Sequence, residues 1–320
     1  MKKRGSKLIP KKISANRSLL TSLFVDIFDA LVNIFVAIIT GSIVMLAEAM
    51  RSITDTIAVV LTYVGLKRSK KKPSKEHPFG YGKSLYVWTF ISGIIMFGFV
   101  SVGIFYFGLK RFLEPEEIEN IAIALVVLTI FVFLNSYSFS VGLRRILDGK
   151  KIRNFFKIYK NSPKVETKVT LILDFVGAVT PLIGLIALGI YFLTGNLKFD
   201  GIGAMAIGII LGVLTLFLLI NTKQLLIGKR ASPKIERKIK KAILSVKNVK
   251  SVLDLKTMIV GLGKILVNAE VHVNQNLNTK QIEQLMDQIK ETAKKEVKEI
   301  SHIQIELETP ESNVKISVQK

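Results

Sequence analysis

Carboxylates set inside long apolar runs are the residues best placed to do chemistry in this chain. Asp26, Asp29 and Asn33 stand at i, i+3 and i+7 and share one face of a helix. Glu48, Arg51, Ser52 and Asp55 share a face in the next run, and Thr170 and Asp174 stand four apart in a later one. An ionisable side chain at membrane depth is costly and is by default a functional candidate. Two carboxylates in a dry site cannot both stay ionised without a cation between them. Asp55 and Asp174 lie on separate runs and are suited to holding a divalent cation or trading it for protons. A protonated carboxylate ligates poorly, and metal binding releases protons, so the two fluxes couple. The competing reading is structural: Arg51 and Asp55 form an i, i+4 ion pair, with Asp26 or Glu48 as a second partner of Arg51.

These residues need membrane-spanning helices to position them. A span takes about 20 mostly apolar residues. Ser18 to Ile39, Ile43 to Leu66, Leu85 to Leu109, Ile121 to Leu143, Val169 to Leu193 and Ile202 to Ile220 all qualify. Asp200, just before the last of them, is read as interfacial. The first run comes after a basic arm, as in a signal peptide, but it is too long, contains Asp26 and Asp29, and lacks a small-residue cleavage site. It reads as the first span.

The chain has 320 residues, 46 Lys+Arg against 24 Asp+Glu, and a net charge of +22. Mean hydropathy is nonetheless positive, at +0.42. The two are reconciled by segregation. The N-terminal arm and the connections after spans two and four are rich in Lys and Arg, whereas Thr40-Gly41-Ser42, Glu114 to Asn120 and Asn196 to Asp200 are poor in them. The positive-inside rule then places both termini in the cytoplasm. The charge marks topology and a lipid bilayer partner; no nucleic acid is expected. No Cys is present, which excludes disulfides and thiolate metal sites. No Walker loop is present, and nothing marks an enzyme.

A soluble segment begins after Gly228. Ser232-Pro233 reads as an N-cap with Pro at the first helical position, and Asn278 with Gln281 as a capping box. The segments between and after these helices alternate as strands: Val249 to Val260, Ile265 to Val273 and Ile300 to Leu307. The order αββαβ predicts a short sheet covered on one face by two helices, small enough to draw support from dimerisation. The chain thus divides into a basic arm (1–17), a six-helix transmembrane domain (18–228), an α+β cytoplasmic domain (229–310) and a polar tail (311–320). His77 lies in a basic connection, and His272 and His302 on tail strands, without the spacing of a helical ligand pair.

Taken in order, these segments resemble the cation diffusion facilitator, or cation efflux, family of proton-coupled metal-ion exporters. The resemblance rests on Thr40-Gly41-Ser42, on Ala47-Glu48-Ala49 with Ser52 and Asp55 beyond it, and on His77-Pro78-Phe79-Gly80-Tyr81-Gly82-Lys83. It continues through Asp174 with Pro181-Leu182-Ile183-Gly184, Asp200-Gly201 with Ile207-Gly208, and Leu225-Leu226-Ile227-Gly228. It implies a homodimer of six-span subunits with a ferredoxin-like, metallochaperone-like tail. It implies export of a divalent metal against protons as counter-substrate, with no organic cofactor, in a prokaryotic plasma membrane. The family's four transport ligands fall at Arg51, Asp55, Thr170 and Asp174. Zinc-carrying relatives have Asp or His at the first position and commonly His at the third; some have an acid where Leu173 stands.

A guanidinium has no lone pair for a metal, so the resemblance leaves three readings open. In one, Asp26 completes the site with Asp55, Asp174 and Thr170, and an all-oxygen set favours Mn²⁺ or Fe²⁺ over Zn²⁺. In another, Arg51 swings away or acts as a built-in countercharge that lowers affinity and assists release, with Arg51, Glu48 and Asp29 as site-modulating residues. In the third, the site is degenerate and the protein is a membrane scaffold or metal sensor. A carrier of an anion or organic solute, with Arg51 as counter-ion, is a further alternative. The family's loop ligands fall at Ser74, His77 and Tyr81, which leaves His77 alone there. A tail site would draw on His272, Glu306 and Glu308. Lys83 matches a dimer-locking lysine whose acidic partner is replaced by Gly228.

Overall fold

The computed structural model describes residues 15–147, 152–154 and 165–309, without the side chains of 15–23, 25, 145–146, 154 and 165–174. Six long helices come first: α1 (Ala15–Thr40), α2 (Ile43–Ser69), α3 (Ser84–Leu113), α4 (Ile121–Leu147), α5 (Val165–Thr194) and α6 (Lys198–Ile227). Within them Ser84–Leu113, Ile121–Arg144, Phe175–Thr194 and Lys198–Ile227 are long and apolar enough to cross a membrane. The described part of α1 is two-faced. Phe24, Phe28, Leu31, Phe35 and Ile38 are exposed, as lipid-facing residues must be, while Ala30, Asn33, Val36 and Thr40 are buried. An exposed apolar stripe of this length marks a surface that meets lipid or another protein.

The chain forms two compact units. One takes in α1, α2 to Tyr63, α3 from Ile91, α4, α5 and α6 to Phe217; the other takes in the remaining ends of α2, α3 and α6 with the tail. The core of the first gathers Val44, Met45, Ile104, Leu128, Leu188, Ile207 and Leu211, all 0–1% exposed. Within it the backbones of α3 and α6 approach closely. A Cβ added at Gly201 would lie 2.6 Å from Phe112 N, and one at Gly208 2.9 Å from Phe105 N, so only glycine lets the two backbones meet. A single π-turn, Met96–Ser101, interrupts α3 here. Buried Ser101 ends it and donates its hydroxyl to Gly208 O at 2.7 Å. Periodicity gives no sign of this turn, because one extra residue per turn leaves a wholly apolar segment apolar.

The tail is α7 (Pro233–Leu244), β1 (Val249–Gly261), β2 (Lys264–Val273), α8 (Thr279–Glu296) and β3 (Ile300–Leu307). Both predicted caps form. Ser232 accepts from Ile235 N with Pro233 in the first turn, and Asn278 and Gln281 close a capping box. The sheet order is β1-β2-β3, antiparallel then parallel. Along β2, residues 265, 267, 269 and 271 are buried while the alternate positions are not. Val267 and Val271 form the core with Ile239 and Ile243 of α7, Ile289 of α8, and Ile303 and Ile305 of β3. The other face of the sheet carries the polar side chains.

Candidate metal-transport site

The site begins with how α2 starts. Thr40-Gly41-Ser42 is a helix–helix corner. Gly41 sits at φ +65°, a left-handed conformation natural to glycine after a helix, and its N–H donates to Ala37 O at 2.9 Å. Ser42 caps α2, accepting from Met45 N at 3.3 Å. The two N–H groups before Met45 go to Asp200 of α6: Ile43 N to Oδ2 at 2.9 Å and Val44 N to Oδ1 at 3.0 Å, while Ser42 Oγ donates to Oδ1 at 2.7 Å. One carboxylate from a distant helix thus satisfies two of the orphan donors at the start of α2. Arg111 of α3 completes the corner. It donates from Nη2 to Gly41 O at 2.7 Å, pairs with Glu116 at 2.8 Å, and holds Nε 3.7 Å from Asp200. Asp200 is therefore fully buried within the protein. Arg111 does not stand out in the sequence, although with Lys110 it is the basic end of span three beside an acidic connection.

Two turns further along α2 the acidic faces meet. Asp29 and Asn33 of α1 lie against Ser52 and Arg51 of α2: Ser52 Oγ donates to Asp29 Oδ2 at 2.7 Å, and Asn33 Nδ2 lies 3.2 Å from both Asp29 Oδ1 and Ser52 Oγ. Arg51 is the centre. Nε donates to Glu48 Oε2 at 2.9 Å, Nη1 to Asp55 Oδ2 at 2.6 Å and Nη2 to Asp29 Oδ2 at 3.4 Å. The i, i+4 pair expected for Arg51 and Asp55 is present, Glu48 is the second partner, and Asp29 is a third from the neighbouring helix. Burial of Arg51 is near complete and that of Glu48 complete, whereas Asp26 and Asp55 are only partly buried.

Thr170 and Asp174 fall on α5, but their side chains lie outside the described residues. A Cβ on Gly177 would lie 3.2 Å from Asn135 Oδ1 of α4 and 4.0 Å from Arg51 Nη1, so α5 comes close to the guanidinium one turn beyond Asp174. Pro181 has no N–H to give the carbonyl of Gly177, which leaves that turn of α5 one hydrogen bond short. Among the described residues, no group of three or more His, Cys, Asp or Glu is arranged to hold a metal ion. The reason is visible at Arg51: its three acids converge on a guanidinium rather than on one another.

The other candidates are engaged separately. His77 is exposed and stacks on Tyr81 with ring centroids 4.3 Å apart, and Tyr81 OH lies 3.1 Å from Ser74 Oγ. A ring stack and a hydrogen bond thus join the three loop positions. In the tail, His272 Nδ1 lies 3.1 Å from Glu308 O, and Glu306 accepts from Gln304 at 3.0 Å. His302 meets Phe79 edge-on with centroids 5.5 Å apart. On the same polar face Lys256 neutralises Asp254 at 2.9 Å and Glu270 at 3.6 Å. Lys83, lacking an acid at Gly228, donates instead to Leu226 O at 3.2 Å.

Comparison with known proteins gives this arrangement a family. Residues 19–227 match the cation efflux transmembrane domain, and residues 231–310 match the cytoplasmic domain of cation efflux proteins. The mouse (Mus musculus) mitochondrial proton-coupled zinc antiporter SLC30A9 is 26% identical over 262 residues, 79% of this chain and 46% of that protein. Metal tolerance protein C4 of Arabidopsis thaliana is 27% identical over 241 residues, 73% of this chain and 52% of that one. This chain thus spans about half the length of those two relatives. An uncharacterized transporter of Methanocaldococcus jannaschii, MJ0449, is 24% identical over 272 residues, 83% of this chain and 88% of that one. A solved nickel form of the MamM CTD is 19% identical, covering 24% of this chain and 98% of that one at a TM-score of 0.23. With both of its domains matched in order along nearly the whole chain, this integral membrane protein belongs to the cation efflux family, also called the cation diffusion facilitators.

Proposed function

We propose that this protein is a homodimeric antiporter that exports a divalent metal cation from the cytoplasm in exchange for protons. The observation that carries the reading is the buried acidic seam between α1 and α2, inside a domain matched from residue 19 to residue 227 by the cation efflux transmembrane domain. The transport ligands are Asp55 and Asp174, with Asp26 and the hydroxyl of Thr170 completing the set. All are oxygen donors, which favours a hard cation such as Mn²⁺ or Fe²⁺. The relatives named as zinc antiporters support Zn²⁺ instead. Cation and protons compete for the same carboxylates, and that competition couples their movement. α2 is the moving part that presents Asp55, and Asp200 with Arg111 fixes its starting end. The tail domain supplies the dimer contact; the basic loops support a cytoplasmic side for it and for both termini, and the membrane of this reading is a plasma membrane.

The test is cation-driven proton flux in proteoliposomes, with Zn²⁺, Mn²⁺, Fe²⁺, Co²⁺ and Cd²⁺ compared for wild type and Asp55→Ala. Flux with at least one ion, abolished in the variant, is expected. Absence of flux with every ion from folded dimer sinks the reading and favours a scaffold or metal sensor working through the tail.

A further inference from the structure

All three nitrogens of the Arg51 fork are engaged. Each of its three nitrogens goes to a different carboxylate, on Glu48, Asp55 and Asp29. A guanidinium holds its charge at any pH a cell meets and offers a metal no lone pair. It is also tethered, so it meets these acids intramolecularly and does not have to be drawn from solution. The three partners differ in access. Side-chain exposure is 1% for Glu48, 19% for Asp29 and 28% for Asp55. The bond to Glu48 is the buried anchor, and Asp55 is the most accessible of the three partners.

We propose that Arg51 is a resident counter-cation that the divalent cargo must displace from Asp55. While the site is empty the guanidinium occupies the acids. When cargo arrives, Nη1 leaves Asp55 while Nε stays on Glu48. When cargo departs, the guanidinium returns. Arg51 thereby holds the affinity low and speeds release. The charge balance permits this. Asp29, Glu48 and Asp55 offer three negative charges to one positive one, and the surplus draws a cation in despite the occupant. Two buried oxygens of the same network, Glu48 Oε1 and Asn33 Oδ1, have no hydrogen-bond partner among the described residues. They are acceptors for N–H groups released from Asp55. The proposal rests on the reading of this chain as a divalent-cation transporter.

The test is isothermal titration of the full-length protein in lipid nanodiscs with Mn²⁺ and with Zn²⁺. Arg51→Gln removes the charge. The double variant Glu48→Gln/Arg51→Gln removes one charge of each sign, so it keeps the net charge and does not strand the wholly buried Glu48 carboxylate if the single variant does not fold. Both are expected to bind at least about tenfold tighter than wild type. Arg51→Lys keeps a tethered cation and is expected to retain the weak affinity. Methylguanidinium is expected to weaken binding by Arg51→Ala and to leave wild type unchanged. Unchanged or weaker binding in the folded double variant, or no effect of methylguanidinium on Arg51→Ala, overturns the proposal and makes Arg51 a structural strut. If neither ion binds to wild type or to any variant, the transport reading fails too. If wild type binds and the variants do not, only the proposal falls.

Discussion

Glu48 and Asp55 flank Arg51 by three residues on one side and four on the other, yet they do different jobs. Glu48 is wholly buried and takes the Nε hydrogen bond, while Asp55 keeps more than a quarter of its side-chain surface. A hydrogen bond to a charged group contributes about 1.5–3 kcal/mol, and Glu48 is the one partner of Arg51 that is almost wholly shielded from solvent. Glu48→Ala is therefore expected to lower the thermal unfolding midpoint sharply and to reduce the yield of folded protein. Asp55→Asn still offers Arg51 an acceptor oxygen, and its stability is expected to stay close to wild type while cation flux is lost. Thermal unfolding in detergent, read beside proteoliposome flux, checks the split. Equal loss of stability in the two variants would refute the division of labour. The i, i+3 and i+4 spacings within α2 are legible in the sequence, because they are local. Asp29 is legible only as a modulating residue, and its direct bond to Arg51 is not, because that contact depends on how α1 and α2 rotate against each other.

Legibility divides the elements in the same way. Ser232-Pro233 and Asn278 with Gln281 are readable as helix starts because a cap is a contact within four residues. Replacing Asn278 with Ala is expected to cost the tail about 1 kcal/mol, seen as an earlier urea midpoint with no change in slope. The engagement of Asp200 is not legible because its partners lie 156 to 158 positions away. Its two oxygens accept three hydrogen bonds. In Asp200→Asn, one of those oxygens becomes an amide nitrogen facing N–H or O–H donors. A buried donor left without an acceptor costs about 1–3 kcal/mol. Destabilisation of that size is expected, together with faster hydrogen exchange at Ile43 and Val44, the amides it serves. Exchange at those two amides unchanged from wild type would show that Asp200 does not hold the start of α2. The strands of the tail are legible from alternation to within a residue or so, since one face must meet α7 and α8. The π-turn in α3 is not, because a wholly apolar helix carries no periodic signal to interrupt.

For the molecule as a whole, the question the net charge poses is which side of the membrane each connection occupies. Residues 67–83 hold seven Lys or Arg, whereas 114–120 hold four Glu and no basic residue. Charge serving a nucleic-acid partner would gather on one soluble surface. Charge serving topology must alternate from connection to connection, because each crossing by an odd number of helices changes sides. The chain has no Cys, so single cysteines can be placed without a background. Lys72, Glu117, Asn196 and Gln281 are all exposed. With a membrane-impermeant maleimide, Lys72→Cys and Gln281→Cys are expected to label from the cytoplasmic face only, and Glu117→Cys and Asn196→Cys from the opposite face only. Labelling of Lys72→Cys and Glu117→Cys from one side would mean that α3 does not cross. Labelling of Asn196→Cys and Gln281→Cys from one side would mean the same for α6, and either result would break the six-span topology on which cytoplasmic export depends. The alternating pattern would instead place the basic loops and the tail beside the cytoplasmic pool of cargo. The acidic corner held by Asp200 and Arg111 would then lie at the opposite end of α2.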